Sequence, residues 1–267
     1  MLPASEPGQK PGFLLLIAPA KSYRISPYLK AAHALNLKTL IVSNSRYSLM
    51  SEIAQGVTVD FTDRRQAETI ILESIRDLDI KCVLATDDSC VSLSNQIAKT
   101  LNLAHNQSSA TLLTHRKDLA RKAAQMFGCN TPKYQVLELQ HFKQYSSSVT
   151  YPVVVKPLCL SASKGVIRAD NEQQFDAACE TIDFILSESD VTGYERNHVL
   201  VEGYLDGPEF AVDGILINGN FHLLAIFDKP EPLIGPYFEE TYYLTPSQLT
   251  ESNQLALIES VIQYCDA

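Results

Sequence analysis

The stretch YPVVVKPLCLSASKGVIRA, residues 151–169, sets a lysine at the end of a β-branched apolar run and follows it with proline and a loop of small residues. Val153, Val154 and Val155 suit a mostly buried strand. Pro157 has no amide to donate and ends the pairing, so Lys156 stands on a rigid stem at a strand mouth. The loop beyond it offers the hydroxyls of Ser161 and Ser163, and Gly165 lets the backbone bend closely around a phosphate. That is chemistry for holding an anion. A snorkelling lysine beside a serine-rich turn is the plainer reading of the same residues. A Walker A loop is excluded, because there the lysine follows GxxxxG and here it precedes the flexible segment.

Two other stretches carry charge where local rules disfavour it. In THRKDLARKAAQMFG, residues 114–128, Thr114 reads as a helix N-cap and Gly128 as the residue past the helix end. His115, Arg116 and Lys117 then add positive charge to the positive end of the helix dipole. Three cations beside free backbone amides suit an anion site, a solvated surface turn being the alternative. Downstream, HVLVEGYLDGPEFAVDGILINGNFHLLAIFDKP gives a strand, Val199 to Val201, that ends in Glu202, then a turn at Gly207-Pro208. A hairpin of 209–217 and 221–228 closes around Asn218-Gly219. Glu209 and Asp213 are four apart and project from one strand face. Such acids usually decorate an exposed edge, but Glu202 ends an otherwise apolar strand.

These groups need elements to position them. The first hundred residues alternate strand and helix: FLLLI as a first strand, a helix with Ser26 and Pro27 at N-cap and N1, KTLIVS, VTVD, a helix on Ala67, Ile70, Ile71, Ser74, Ile75 and Leu78, then KCVLATDD and a helix capped by Ser89. That repetition implies a parallel sheet with helices on both faces. Ser43, Asn44, Asp87 and Asp88 fall at its carboxyl edge, where open α/β sheets bind ligands. The first turn, APAKSYRISP, has no glycine, which excludes a dinucleotide fingerprint. FLLLIAPA imitates a leader peptide, but its apolar run is too short and periodic structure follows at once.

Length and composition fit that scheme. A chain of 267 residues is expected to form two domains. Its apolar fraction of 45% and charged fraction of 20% are those of a soluble globular protein. The net charge of −9 disfavours nucleic acid and anionic membrane as partners and points to a small molecule. Six cysteines lack CxxC or CxxH spacing, which argues against a zinc site or disulfide framework and for a reducing cytoplasm.

Taken in order, Lys117, Lys156 with Ser161 to Gly165, and the octapeptide Glu202 to Glu209, EGYLDGPE, give the chain a resemblance. It resembles an ATP-grasp carboxylate-amine ligase, of the kind that includes L-amino acid ligases and carnosine synthase. The resemblance implies an α/β fold with a flexible N-terminus over 1–12, a Rossmann-like pre-ATP-grasp domain over 13–113, a small α+β lid over 114–198 and part of the large subdomain over 199–267. It implies that Lys117 and Lys156 hold ATP phosphates and that the loop with Ser161, Ser163 and Gly165 closes over them. It implies further that backbone groups from Val201 through Glu202, Gly203 and Tyr204 meet adenine, while Glu209 takes the ribose hydroxyls. The implied partners are ATP, Mg²⁺, a carboxylate and an amine, amino acids among them, and a homodimer is left open. FDKPEPLIGPYFEETYYLTP is expected on the acceptor side, with Tyr237, Phe238, Glu239 and Glu240 toward an amine, a flexible loop being the equal alternative. The family's metal-binding Glu and Glu/Asn pattern has no match, so the Mg²⁺ ligands are expected beyond Ala267 and the chain reads as a fragment that stops inside a helix starting at Thr245, Pro246 and Gln248. A nucleotide-binding module that lost its metal site, and a biotin-carboxylase-like or purine-pathway branch of the superfamily, are the alternatives.

Overall fold

The computed structural model describes residues 11–45, 56–238 and 241–267. The N-terminal extension through residue 10 and the acids Glu239 and Glu240 lie outside the described residues. The chain divides into two units, Met1–Leu112 and Leu113–Ala267.

In the first unit the alternating pattern becomes β1 (Phe13–Ile17), α1 (Ile25–Ala34), β2 (Lys38–Ser43), β3 (Gly56–Thr58), α2 (Arg64–Ile75), β4 (Ile80–Ala85) and α3 (Asp88–Thr100). The four strands form a parallel sheet in the order β3-β2-β1-β4. Leu15 and Ile17 of β1 pack with Ile71 and Ile97 from α2 and α3, while Leu14 and Leu16 pack on the other face with Ile25 and Ala32 of α1. A strand covered on both faces has no polar side to show, which is why FLLLI reads as an unbroken apolar run.

Two helix starts correct the expectation. α1 begins at Ile25 behind Arg24, so Ser26 and Pro27 lie inside its first turn. Proline is tolerated there because first-turn amides have no partner within the helix. α3 is capped by Asp87, not Ser89: the Asp87 carboxylate accepts from both the amide and the hydroxyl of Ser89 at 3.0 and 2.6 Å. A carboxylate at the positive helix end gains from the dipole as well as from the hydrogen bond. Asn44 likewise serves local structure, its side-chain oxygen accepting from the Ala20 amide at 2.9 Å.

The second unit, entered through α4 (Ser108–His115), contains α5 (Lys117–Met126), β5 (Tyr134–Glu138), β6 (Val153–Pro157), β7 (Ile167–Ala169), α6 (Glu172–Ser187), α7 (Gly193–Asn197), β8 (His198–Gly203), β9 (Glu209–Ile217), β10 (Asn220–Lys229) and α8 (Glu251–Asp266). An antiparallel sheet runs β5-β8-β6-β7. Strand periodicity divides its side chains. Val153, Val155, Val199 and Val201 pack with Phe175, Ala178, Ile182 and Leu186 of α6. The alternate residues Val154, Lys156, Leu200 and Glu202 therefore share the opposite face, where Val154 pairs with Glu202 and Lys156 with Leu200 in register.

β9 and β10 form the expected hairpin, and Asn218 and Gly219 take φ of 51° and 80°, as a tight primed turn requires. The last helix differs from expectation. It starts at Glu251 with Thr250 as cap, because the donors after Pro246 are diverted to β10: the Asp228 carboxylate accepts from the Ser247 hydroxyl and from the Gln248 amide at 2.8 Å. Among the described residues no helix is long and apolar enough to cross a membrane.

Phe175 is fully buried between α6 and the sheet. Phe175→Ala should cost about 3–5 kcal/mol in the unfolding of the second unit, measured by chemical denaturation, and an unchanged midpoint would contradict this assignment of the core.

Candidate functional site

The segment 114–128 is not one helix. α4 ends at His115, α5 starts at Lys117, and Arg116 between them is extended with φ −107° and ψ 104°, so Thr114 lies inside α4 and Arg116 takes the N-cap position of α5. The cause is the Arg116 side chain. Its guanidinium makes a two-point contact with Asp118 at 2.8 and 2.7 Å, reaches Glu195 at 3.1 Å, and lies 5.1 Å from the centre of the Tyr194 ring. Two carboxylates already match this cation, so Arg116 ties α5 to α7 and does not join an anion receptor. Lys117 turns toward the small-residue loop.

Lys117 holds that loop twice. Its amide donates to the Leu158 carbonyl at 2.9 Å, and its ammonium donates to the Leu160 carbonyl at 2.6 Å. The loop conformation is unusual for residues with side chains: Leu160, Ala162 and Ser163 have φ of 115°, 55° and 53°. Gly165, at φ 75°, is required by sterics as well, since a Cβ there would sit 2.9 Å from Pro157 Cγ. Such strain persists where surrounding contacts fix the backbone, and it collects at ligand turns. Ser161 and Ser163 expose their side chains, while their carbonyls accept from the Lys164 and Val166 amides at 3.3 and 3.0 Å.

Beside this loop the sheet carries a buried charge cluster. Glu202, 4% exposed, accepts from Arg121 Nε at 2.5 Å through one oxygen and pairs with the Lys156 ammonium through the other. Burial alone would raise the Glu202 carboxyl above its ordinary value, but Lys156 and then Arg121 outweigh burial and hold it below that value. Arg121 belongs to none of the sequence motifs. Its signal was present, because Lys117 and Arg121 are four apart and so share a helix face.

The remaining expected residues lie along the chain that leaves β8. The amides of Gly203 and Tyr204 donate to the carbonyls of Lys133 and Pro152 at 2.9 and 3.1 Å. The Tyr204 ring is covered by the Arg168 guanidinium at 4.0 Å, and Arg168 also donates to the Ile234 carbonyl at 2.9 Å. Glu209 stands in a second cluster, paired with Lys229 across the hairpin. It lines a cavity of 540 Å³ together with Asp206, Asp228, Glu231 and Leu244.

Residues 149–266 match the family model of the ATP-grasp domain. The matched residues include Lys156, the strained loop, Glu202 and Glu209, whereas Lys117 and Arg121 come from the segment before them. Dapdiamide A synthase of Enterobacter agglomerans is 26% identical over 178 residues, which is 65% of this chain and 41% of that protein. Phosphoribosylamine–glycine ligase of Fusobacterium nucleatum is 32% identical over 104 residues, 39% of this chain and 24% of that protein. The chain thus spans less than half the length of these curated relatives. The crystal structure of an L-amino acid ligase from Bacillus licheniformis superposes with a TM-score of 0.79 at 24% identity, over 97% of this chain and 60% of that one. The α/β architecture, with a parallel sheet followed by antiparallel sheets, is that of ATP-grasp ligase structures.

Glu202 makes the cluster acid-sensitive. A carboxyl held below its ordinary value of 4.5 contributes stability that is fully present above that pH and is lost as the pH falls through the folded value. Glu202→Gln leaves two cations without their carboxylate and should cost about 3 kcal/mol at neutral pH. In a pH series of denaturation curves the gap between wild type and variant should narrow below pH 4.5; a gap independent of pH would contradict the ion cluster.

Proposed function

We propose that this chain binds ATP and serves an enzyme that joins a carboxylate to an amine through an acyl phosphate. The observation that supports this best is the convergence of Lys117 on the segment 158–160, which begins two residues after Lys156 and continues into the strained Gly165 loop. Lys117 thus holds the small-residue loop that follows the strand carrying Lys156.

In the proposed reaction a carboxylate oxygen attacks the γ-phosphorus of ATP, and the bond to the β-phosphate oxygen breaks to release ADP. An amine then attacks the acyl carbon, phosphate leaves, and the nitrogen loses its proton to give the amide. Phosphoryl transfer asks a protein chiefly for positioning and charge neutralisation. Lys117 and Lys156 supply the positive charge, and the loop with Ser161, Ser163 and Gly165 is proposed to cover the phosphates and exclude water from the acyl phosphate. Adenine is proposed to lie along Val201 to Tyr204, met by carbonyl oxygens because the amides of Gly203 and Tyr204 are engaged. Glu209, at the rim of the hairpin cavity, is proposed for the ribose hydroxyls. Mg²⁺ supplies further neutralisation when bound. Among the described residues no group of three or more His, Cys, Asp or Glu side chains gathers to hold a metal, so these residues do not by themselves fit its site.

Amino acids are the proposed substrates. The similar proteins include the L-amino acid ligase of Bacillus licheniformis and a D-alanine–D-alanine ligase of Wolinella succinogenes, the latter 26% identical over 59% of this chain. The cytoplasm is the proposed compartment, consistent with six cysteines in a reducing environment.

Calorimetry tests the reading. ATP and ADP should bind, and NADH should bind more weakly, since the first βα turn has no glycine. Lys156→Ala should cost about 2–3 kcal/mol of ATP affinity. Unchanged affinity in that variant, or tighter binding of NADH than of ATP, would overturn the assignment.

A further inference from the structure

We propose that Arg121 is a positioning residue of the nucleotide site: by holding one oxygen of Glu202 it keeps Lys156 available to a phosphate. The inference rests on the nucleotide reading above and adds to it a residue with its own mechanism.

The argument begins with the geometry of one carboxylate. Glu202 sits at the inner end of β8, almost fully buried, on the sheet face opposite α6. Its two oxygens are divided, one to Arg121 Nε at 2.5 Å and the other to the Lys156 ammonium. Arg121 comes from α5, one turn after Lys117, whose ammonium and amide hold the loop. The three charges come from three separate elements, α5, β6 and β8, so their meeting is a tertiary contact and not a local side-chain preference.

Charge counting gives the consequence. Two cations share one carboxylate, so one positive charge in the cluster is unbalanced. Lys156 is 17% exposed and Arg121 27%, against 4% for Glu202, so the unbalanced charge lies toward the open side of the cluster. A polyanion arriving there meets net attraction. Without Arg121 the remaining Lys156–Glu202 pair is neutral, and both carboxylate oxygens are open to the one ammonium. A phosphate would then have to draw Lys156 away from a carboxylate that has no other partner. The role of Arg121 is therefore exerted through Lys156, with no contact to the nucleotide required.

The route makes the proposal testable by coupling. ATP affinity of the whole 267-residue chain is measured by calorimetry for wild type, Arg121→Gln, Arg121→Lys, Lys156→Ala and the double variant Arg121→Gln/Lys156→Ala, with circular dichroism as a check on folding. Arg121→Gln should weaken ATP about tenfold, and Arg121→Lys, which keeps a cation, should recover most of that loss. In the Lys156→Ala background Arg121→Gln should change affinity by less than about twofold, because the residue it acts through is gone. A full tenfold loss in that background would overturn the proposal by showing that Arg121 acts on its own. Unchanged affinity in Arg121→Gln would also overturn it. Should Arg121→Gln fail to fold, an Arg121→Lys chain that folds but binds ATP as weakly as Lys156→Ala would count against it too. If wild type binds no ATP, the nucleotide reading itself fails and takes this inference with it, whereas wild-type binding without coupling removes the inference alone.

Discussion

A carboxylate buried at the end of an apolar strand can remain ionised only if cations reach it, and the second unit of this protein is arranged around that requirement. Glu202 alternates with Val201 and Val199, which the α6 core claims, so its own side chain must face the other way. On that face β6 contributes Lys156 and α5 contributes Arg121. Each partner is costly to bury without the others, and together they fix α5, β6 and β8 relative to one another within this unit.

The loop geometry follows from that fixation. Once Lys156 and the start of α5 are held, Lys117 can grip Leu158 and Leu160, and the chain between β6 and β7 must turn back through four positive-φ positions. Only one of the four is a glycine, Gly165, where a Cβ would collide with Pro157. The other three, Leu160, Ala162 and Ser163, are backbone strain held by the surrounding contacts. Arg116 adds a second brace by joining Asp118 of α5 to Tyr194 and Glu195 of α7. A segment that is strained yet anchored at its base suits a loop that must cover a ligand and release it.

Much of this was legible in the sequence because it obeys period and turn chemistry. FLLLI, KTLIVS and VVVK declared strands, Phe175, Ala178, Ile182 and Leu186 declared the buried stripe of α6, and Asn218-Gly219 declared its hairpin. Lys156 and Glu202 were conspicuous because each is charged at the end of an apolar run. What could not be read was which cation each carboxylate would choose. Arg116 looked like one of three anion-binding residues, but Asp118 lies two residues on and Glu195 is brought in from seventy-nine residues away, a pairing no local pattern reveals. Helix starts failed for a similar reason. Asp87 displaced Ser89 as a cap by its charge, and Asp228 captured the donors that Thr245 and Gln248 were expected to share.

A crystal structure of this chain with ADP tests the central claim most directly. The account predicts the diphosphate against the ammonium groups of Lys117 and Lys156, beneath the loop of Ser161 to Gly165, with Arg121 still on Glu202. A nucleotide found at the carboxyl edge of the β3-β2-β1-β4 sheet, or phosphates held by groups other than the two lysines, would contradict it.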